Sequence, residues 1–348
     1  MQPRIEVGIL GATGMVGQHF IKFLQGHPWF DLKWLGASDR SAGKRYRDAM
    51  TWHLGVVPES VAGMTVEDSK PGNAPRLLFS AMDASVATEI EQAFARAGHV
   101  VVSNSRNHRM DADVPLLVPE INPDHLKLVP GQQRTRGWKG QIVTNPNCST
   151  IVLTMGLAPL KQFGITKIVA TTLQAVSGAG YPGVASMDIL GNVVPFIGGE
   201  EEKMQEETQK ILGAFKGDHV EPLAAKVSAH CNRVPVVDGH TVTVSVEFSA
   251  KPGEADIRAA FDSFSAVPQQ RNLPSAPPRP VIYMEEANRP QPRKDAERER
   301  GMAAFVGRLR ACPVLDYKFV ALGHNTVRGA AGAAVLNAEL MHSEGMLD

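Results

Sequence analysis

Cysteine is scarce: Cys148, Cys231 and Cys312 are the three in 348 residues. The number is odd and no C-x-x-C pair occurs, which argues against a disulfide framework or a thiolate zinc site, and no metal is expected. Reduced thiols in a cytoplasmic enzyme are the simpler account. Net charge is lacking too, since 36 basic residues balance 36 acidic ones. That balance argues against a nucleic-acid or membrane-surface partner. The longest apolar runs are too short for a bilayer, and Met1 to Arg4 leads into a strand pattern without a signal-peptide core. What is present in ordinary amount is apolar residue, 43%, beside 21% charged. A core is therefore available, and the length fits two domains.

Residues 4 to 10 predict a buried strand, and Gly11-Ala12-Thr13-Gly14-Met15-Val16-Gly17 follows at once. Val16, Phe20, Phe23 and Leu24 then recur at helical spacing, with Gly26 as a stop. Glycines of this kind mark ordinary tight turns as well. Between a strand and a helix they also let a pyrophosphate approach the backbone and meet the helix N-terminus. Gly11, Thr13, Gly14, Met15 and Val16 are thus candidate cofactor contacts. A second strand, Leu32 to Ala37, ends at Ser38. An NAD enzyme usually places an acidic residue there for the ribose hydroxyls. Here Ser38, Arg40, Ser41 and Lys44 suit a 2′-phosphate, so NADP is the expected cofactor. Asp39, in its ordinary role a solvated loop carboxylate, leaves mixed NAD/NADP use open. Residues 45 to 75 predict a loop with some strand. Leu77 to Phe79 form a short strand ending at Ser80, another candidate contact. Asp83 or Ser85 caps the next helix, with Val86, Ile90 and Phe94 on its apolar face and Gly98 at its end. With strand Val100 to Val102, the alternation up to Thr144 predicts a Rossmann-like, doubly wound parallel sheet.

Gln141 to Thr144 is strand-like, Asn145 and Pro146 break it, and Ile151 to Leu160 is an apolar helix pattern. Cys148 then falls at a helix N-terminus, where free N–H groups and the dipole favour thiolate. The functional reading is a nucleophile with an oxyanion hole; the alternative is a cysteine that fills space. Beyond it, Lys167 to Ala175 predicts a strand, Ser177 to Gly180 a polar loop and Glu200 to Leu212 a charged helix. Thr241 to Phe248 alternates as a half-buried strand. A mainly antiparallel sheet with helices on one side is expected, in an α+β domain. Residues 268 to 293 predict a proline-rich extended loop, Tyr317 to Leu322 a strand, and Thr326 to Leu340 a final helix that returns to the first domain. The expected division is 1–147, completed by 325–348, for NADP binding and 148–324 for catalysis.

A thiolate needs an acid or base, and His240, after the Asp238-Gly239 turn, is the candidate. A histidine is more often structural. Arg233 is a candidate carboxylate clamp or a surface arginine. Glu200 to Glu202 with Lys203 suit a helix start, and Arg109 suits an anion or a helix cap.

The glycine turn, Pro146-Asn147-Cys148-Ser149-Thr150, Gln174 to Gly180, Arg233 to His240 and Asn325-Thr326-Val327-Arg328-Gly329-Ala330-Ala331-Gly332 together resemble the aspartate-semialdehyde dehydrogenase family, in its archaeal and fungal branch. The resemblance spans nearly the whole chain. It implies that Cys148 forms an acyl-thioester, that His240 is the acid/base and that Gln174 positions the acyl group. It implies that Arg233 holds the substrate α-carboxylate, that Glu200 holds the amino group and that Lys203 and Arg109 hold phosphate. Ser177, Gly178 and Asn325 join the turn and Ser38 in binding NADP. It further implies a homodimer or homotetramer built through 148–324, which is then both catalytic and dimerisation domain, and a place in the aspartate-derived biosynthesis of lysine, diaminopimelate, threonine and methionine. A malonyl-CoA reductase or N-acyl-glutamyl-phosphate reductase would share the cysteine chemistry with another acyl donor. A non-catalytic NADP-binding redox sensor would make the His240 and Arg233 matches incidental.

Overall fold

Strand β1 (Ile5–Leu10) is buried along its last four residues, as are Trp34 to Ala37 of one flanking strand and all four residues of the other. The chain is described here over residues 3–347 of a computed structural model. β1 lies between β2 (Phe30–Ala37) and β4 (Leu77–Ser80), with β3 (Val66–Asp68) outside β2 and β5 (Val100–Ser103) and β6 (Gln141–Thr144) beyond β4. Every pair is parallel. Burial on both faces explains why Val7 to Leu10, Trp34 to Ala37, Leu77 to Phe79 and Val100 to Val102 are apolar runs without alternation. The strand order reverses next to β1, which opens a crevice at the carboxyl ends of β1 and β4.

The glycines divide their work. Gly8 lies inside β1, where a Cβ would come within 2.7 Å of Leu78 and 2.9 Å of Trp34, so it serves packing. Gly11 has φ +75°, and a Cβ there would meet the Ala81 carbonyl at 2.6 Å. A Cβ on Gly17 would meet the Gly11 carbonyl at 2.4 Å. The turn therefore closes tightly onto helix α1 (Met15–Leu24), whose N-terminus no side chain caps. Helix α2 (Ala84–Ala97) starts at Asp83, which accepts from the Ser85 N–H, and ends at left-handed Gly98. Val86, expected on its apolar face, is 45% exposed. It stands in the first turn and lines the open cleft above Ser38 instead of the sheet.

Helix α3 (Cys148–Leu157) leaves β6 and is buried from Ser149 to Leu157. Its apolar residues join the core of the second sheet, whose order is β10-β7-β11-β14-β13-β12. These strands are β7 (Ile165–Gln174), β10 (Lys226–Arg233), β11 (His240–Phe248), β12 (Val281–Met284), β13 (Ala304–Ala311) and β14 (Tyr317–Gly323); β8 (Ala214–Phe215) and β9 (Val220–Glu221) form a separate hairpin. Pairs β7–β11, β11–β14 and β13–β14 are antiparallel, and β7–β10 and β12–β13 are parallel. Helices α3, α4 (Glu200–Ile211) and α5 (Glu254–Ser263) supply core residues to this sheet. Alternate residues on β7, including Lys167, Val169 and Leu173, point the other way and are exposed.

The proline-rich loop expected over 268–293 is corrected: it contains β12 and short helical turns at Val267–Gln270 and Pro292–Asp295. β12 is an edge strand, where flanking prolines break no ladder bond. The last segment opens with a wide π-type turn over Val327–Ala331 and continues as α6 (Gly332–Ser343). Ala334, Val335, Leu336, Ala338 and Leu340 of α6 enter the core of the first sheet, which returns the chain end to its beginning.

Candidate active site

The turn after β6 is built by Asn147. Its Oδ1 accepts from the N–H groups of Ser149 and Thr150 at 3.0 and 3.2 Å, a standard N-cap. That bond sets Cys148 as the first residue of α3. The Nδ2 of Asn147 donates to both Glu200 oxygens at 3.0 and 2.9 Å. The wide turn presses on the nucleophile from behind, since a Cβ on Gly329 would lie 2.7 Å from the Cys148 Cβ.

The Sγ of Cys148 lies 3.2 Å from Nε2 of His240. His240 opens β11 and is fully buried. Its Nδ1 accepts from the Ala175 N–H at 3.0 Å. A neutral imidazole bonded in this way carries its proton on Nε2, aimed at the sulfur. Burial pulls His240 down to about 3, with Arg233 adding to it. Burial likewise pushes the Cys148 thiol up to about 12, and Glu200 adds to it; Arg109 and Arg233 oppose. Desolvation of this buried pair opposes the thiolate that the helix N-terminus favours and acts toward the neutral form of each partner.

Gln174, at the end of β7, donates from Nε2 to Glu200 at 3.2 Å and accepts from the Thr172 hydroxyl at 3.0 Å. Glu200 also receives Lys203 Nζ at 2.8 Å. Burial alone would raise Glu200, but the bonds from Lys203, Asn147 and Gln174 outweigh it and hold the carboxyl below its usual range. Arg233, at the end of β10, is buried and donates to the Ala175 carbonyl at 2.8 Å. Parallel pairing sets Arg233 opposite Gln174. Arg109 caps no helix: it is buried, with Nη1 donating to Glu207 at 3.0 Å and Nη2 to the Asn104 carbonyl at 2.8 Å. The fold thus gathers Cys148, His240, Gln174, Glu200 and Arg233, with Lys203 and Arg109 each joined to this group through a glutamate.

A bound dinucleotide fits the residues around the glycine turn. The turn admits no Cβ at Gly11 or Gly17, and the α1 N-terminus beside Thr13, Met15 and Val16 is uncapped. Ser38 and Arg40 line a cavity of about 570 Å³ between the ends of β2 and α2; Ser41 closes the same loop onto the Ser38 carbonyl at 2.8 Å. Met15 and Ser177 line a second cavity of about 690 Å³. Gly178 lies over the reacting pair, where a Cβ would be 3.1 Å from His240 Nε2 and 2.9 Å from Arg233 Nη1. A side chain at this position would crowd both residues. Asn325 is buried, donates to the Ser177 hydroxyl at 2.8 Å and accepts from the Gly239 N–H at 2.8 Å. Ser80 is a correction. Its hydroxyl donates inward to buried Glu91 at 2.6 Å, beside Ser103, so it does not face the crevice. Burial raises the Glu91 carboxyl, which the two hydroxyls then serve.

Three residues escaped the sequence reading: Asn147, Glu207 and Gly329. Asn147 and Gly329 lay inside quoted motifs. Glu207 stands seven positions after Glu200 on one helix, two turns along the same face, and that spacing was the available signal.

Residues 6–129 match the family model "Semialdehyde dehydrogenase, NAD binding domain", and residues 157–328 match "Semialdehyde dehydrogenase, dimerisation domain". The aspartate-semialdehyde dehydrogenase of Methanothermobacter thermautotrophicus is 51% identical, over 97% of this chain and 99% of its own. That of Cryptococcus neoformans is 46% identical, over 99% of both. The crystal structure of the Candida albicans aspartate-semialdehyde dehydrogenase with NADP superposes with a TM-score of 0.92 at 42% identity, covering 99% of this chain and all of that one. With that overlap along both chains, the protein belongs to the aspartate-semialdehyde dehydrogenase family.

Proposed function

We propose that Cys148 carries the acyl group in the reaction of this family, the NADPH-dependent reductive dephosphorylation of 4-phospho-L-aspartate to L-aspartate 4-semialdehyde. The observation that carries this reading is the Cys148–His240 contact of 3.2 Å at the start of a helix, ringed by Glu200, Gln174 and Arg233. The reaction belongs to aspartate-family amino-acid biosynthesis.

Sulfur attacks the acyl carbon, the C–O bond to phosphate breaks, and the thiol proton leaves with the phosphate. Lys203 and Arg109 offset the charge on the departing group. Arg233 clamps the α-carboxylate, Glu200 takes the α-ammonium, and Gln174 orients the acyl oxygen. Thr13 to Val16, Ser38, Arg40 and Ser177 would hold NADPH, which would supply the hydride when bound. His240 keeps its Nε2–H on the sulfur, which stabilises it as attacking and as leaving thiolate, and a proton from solvent restores the thiol once the aldehyde has formed. Thiolate suits both directions, because it attacks strongly and leaves readily.

The bare face of the second sheet, with exposed Val169 and Leu173, supports a homodimer or homotetramer. The division into 1–147 with 325–348 and 148–324 is supported by α6 packing in the first core and α3 in the second. A cytoplasmic location accords with three free cysteines and with the absence, among the described residues, of a helix able to cross a membrane.

The test is phosphate-dependent NADP reduction with aspartate semialdehyde, run beside malonyl-CoA-dependent NADPH oxidation. Turnover in the first assay alone is expected; turnover with malonyl-CoA alone overturns the assignment of the acyl donor.

A further inference from the structure

Helix α4 carries Glu200, Lys203, Glu207 and Lys210 at helical spacing, along one face. The first two belong to the site already described. Glu207 is 1% exposed and makes two bonds in different directions. One oxygen accepts from Arg109 Nη1 at 3.0 Å, and the other accepts from the main-chain N–H of Asn147 at 2.7 Å. A single carboxylate thus ties the loop after β5 to the residue before the nucleophile. Lys210 anchors the same loop, donating to the carbonyls of Arg109, Asp111 and Val114 at 2.7, 2.8 and 2.9 Å.

We propose that Glu207 is a positioning residue for acyl transfer, which aims the Arg109 guanidinium at phosphate and fixes the turn presenting Cys148. The inference rests on the phosphate role of Arg109 proposed above. Both partners of Glu207 are donors, so the position requires two acceptor oxygens. An amide offers one acceptor and one donor, and forces an N–H against an N–H. Arg109 has little else to hold it: Nη2 reaches the Asn104 carbonyl, and buried Nε has no partner. Removing the carboxylate leaves a buried cation uncompensated and free to turn away.

The oxidative reaction separates this role from simple support, because phosphate is then a substrate with its own KM. Glu207→Gln is expected to raise the KM for phosphate about tenfold or more and to lower kcat similarly, with NADP affinity and the KM for aldehyde changed less than about threefold. Glu207→Asp, which keeps the charge, is expected to restore part of the loss. Arg109→Ala is expected to raise the same KM, and the double variant to raise it no further than Arg109→Ala does, the mark of one shared function toward phosphate. If Arg109→Ala raises the phosphate KM while folded Glu207→Gln leaves it within about twofold of native, the proposal fails and Arg109 keeps its role. If Arg109→Ala leaves it unchanged, the phosphate reading of Arg109 fails and takes this inference with it. A uniform loss toward phosphate, aldehyde and NADP in folded Glu207→Gln also overturns it. Should Glu207→Gln not fold, Glu207→Asp is held to the same criterion: an unchanged phosphate KM rejects the role.

Discussion

The two ends of the cleft are built on opposite terms. At the sulfur end, polar side chains are buried and already bonded: Asn147 to Glu200, Gln174 to Glu200, Arg233 to the Ala175 carbonyl and His240 to the Ala175 N–H. At the Ser38 end, Ser38, Asp39 and Arg40 are exposed around an open cavity. A reacting acyl group needs donors fixed before it arrives, so that little reorganisation is left to the transition state. A 2′-phosphate needs charge within reach, and mobile side chains in water can supply it. Substitutions at the first end should therefore strike rate, and those at the second should strike cofactor choice.

The largest effect should follow Cys148→Ala, with kcat lowered by more than about 10⁴-fold and NADP affinity within about twofold. Turnover in that variant would place the nucleophile elsewhere; a parallel loss of NADP binding would mean that the two ends are not separate. Arg233→Leu is expected to lower kcat/KM for the aldehyde by about 10²-fold or more, while the KM for NADP moves little. An equal loss toward both would make Arg233 a structural support of the whole cleft.

The sulfur end should also show in stability against pH. Burial holds His240 at about 3 in the folded chain, against an ordinary histidine value of 6.5. The unfolded chain therefore binds the proton first, so the contribution of His240 is full above 6.5 and is lost as the pH falls from there toward about 3. Buried His125, pulled down to about 4 by burial, acts in the same direction. Denaturant unfolding should show stability falling by roughly 2 kcal/mol for His240 alone between about pH 7.5 and about pH 5. His240→Asn should flatten that slope; an unchanged slope would deny that the imidazole is buried neutral. The smallest effect is expected from Arg40→Ala, a loss of about tenfold in the kcat/KM preference for NADP over NAD, with kcat retained. A fall in kcat instead would show that the exposed end is coupled to the chemistry.

Much of the fold was legible because its signals are local. The buried runs Val7 to Leu10 and Leu77 to Phe79, and the alternation from Val242 to Phe248, each carry their own period. Signals set by neighbours far along the chain were misread. Val86 has helical spacing but no sheet beneath it, and β12 is a strand only because β13 lies beside it. Ser80 ends a strand as expected, yet its hydroxyl turns to Glu91 because burial leaves that carboxyl in need of donors.

By itself the chain determined which groups were present and how each was locally held: a glycine turn that only glycine can close, and an asparagine cap that puts Cys148 at the head of a helix. Caps, turns and periodicity act over a few residues, so they are written in short stretches. Tertiary structure alone decided that Cys148 meets a histidine 92 positions away, that Arg109 finds Glu207 across 98, and that burial pushes the thiol up. Those outcomes depend on desolvation and on charges brought close by packing, and neither exists until the two sheets come together.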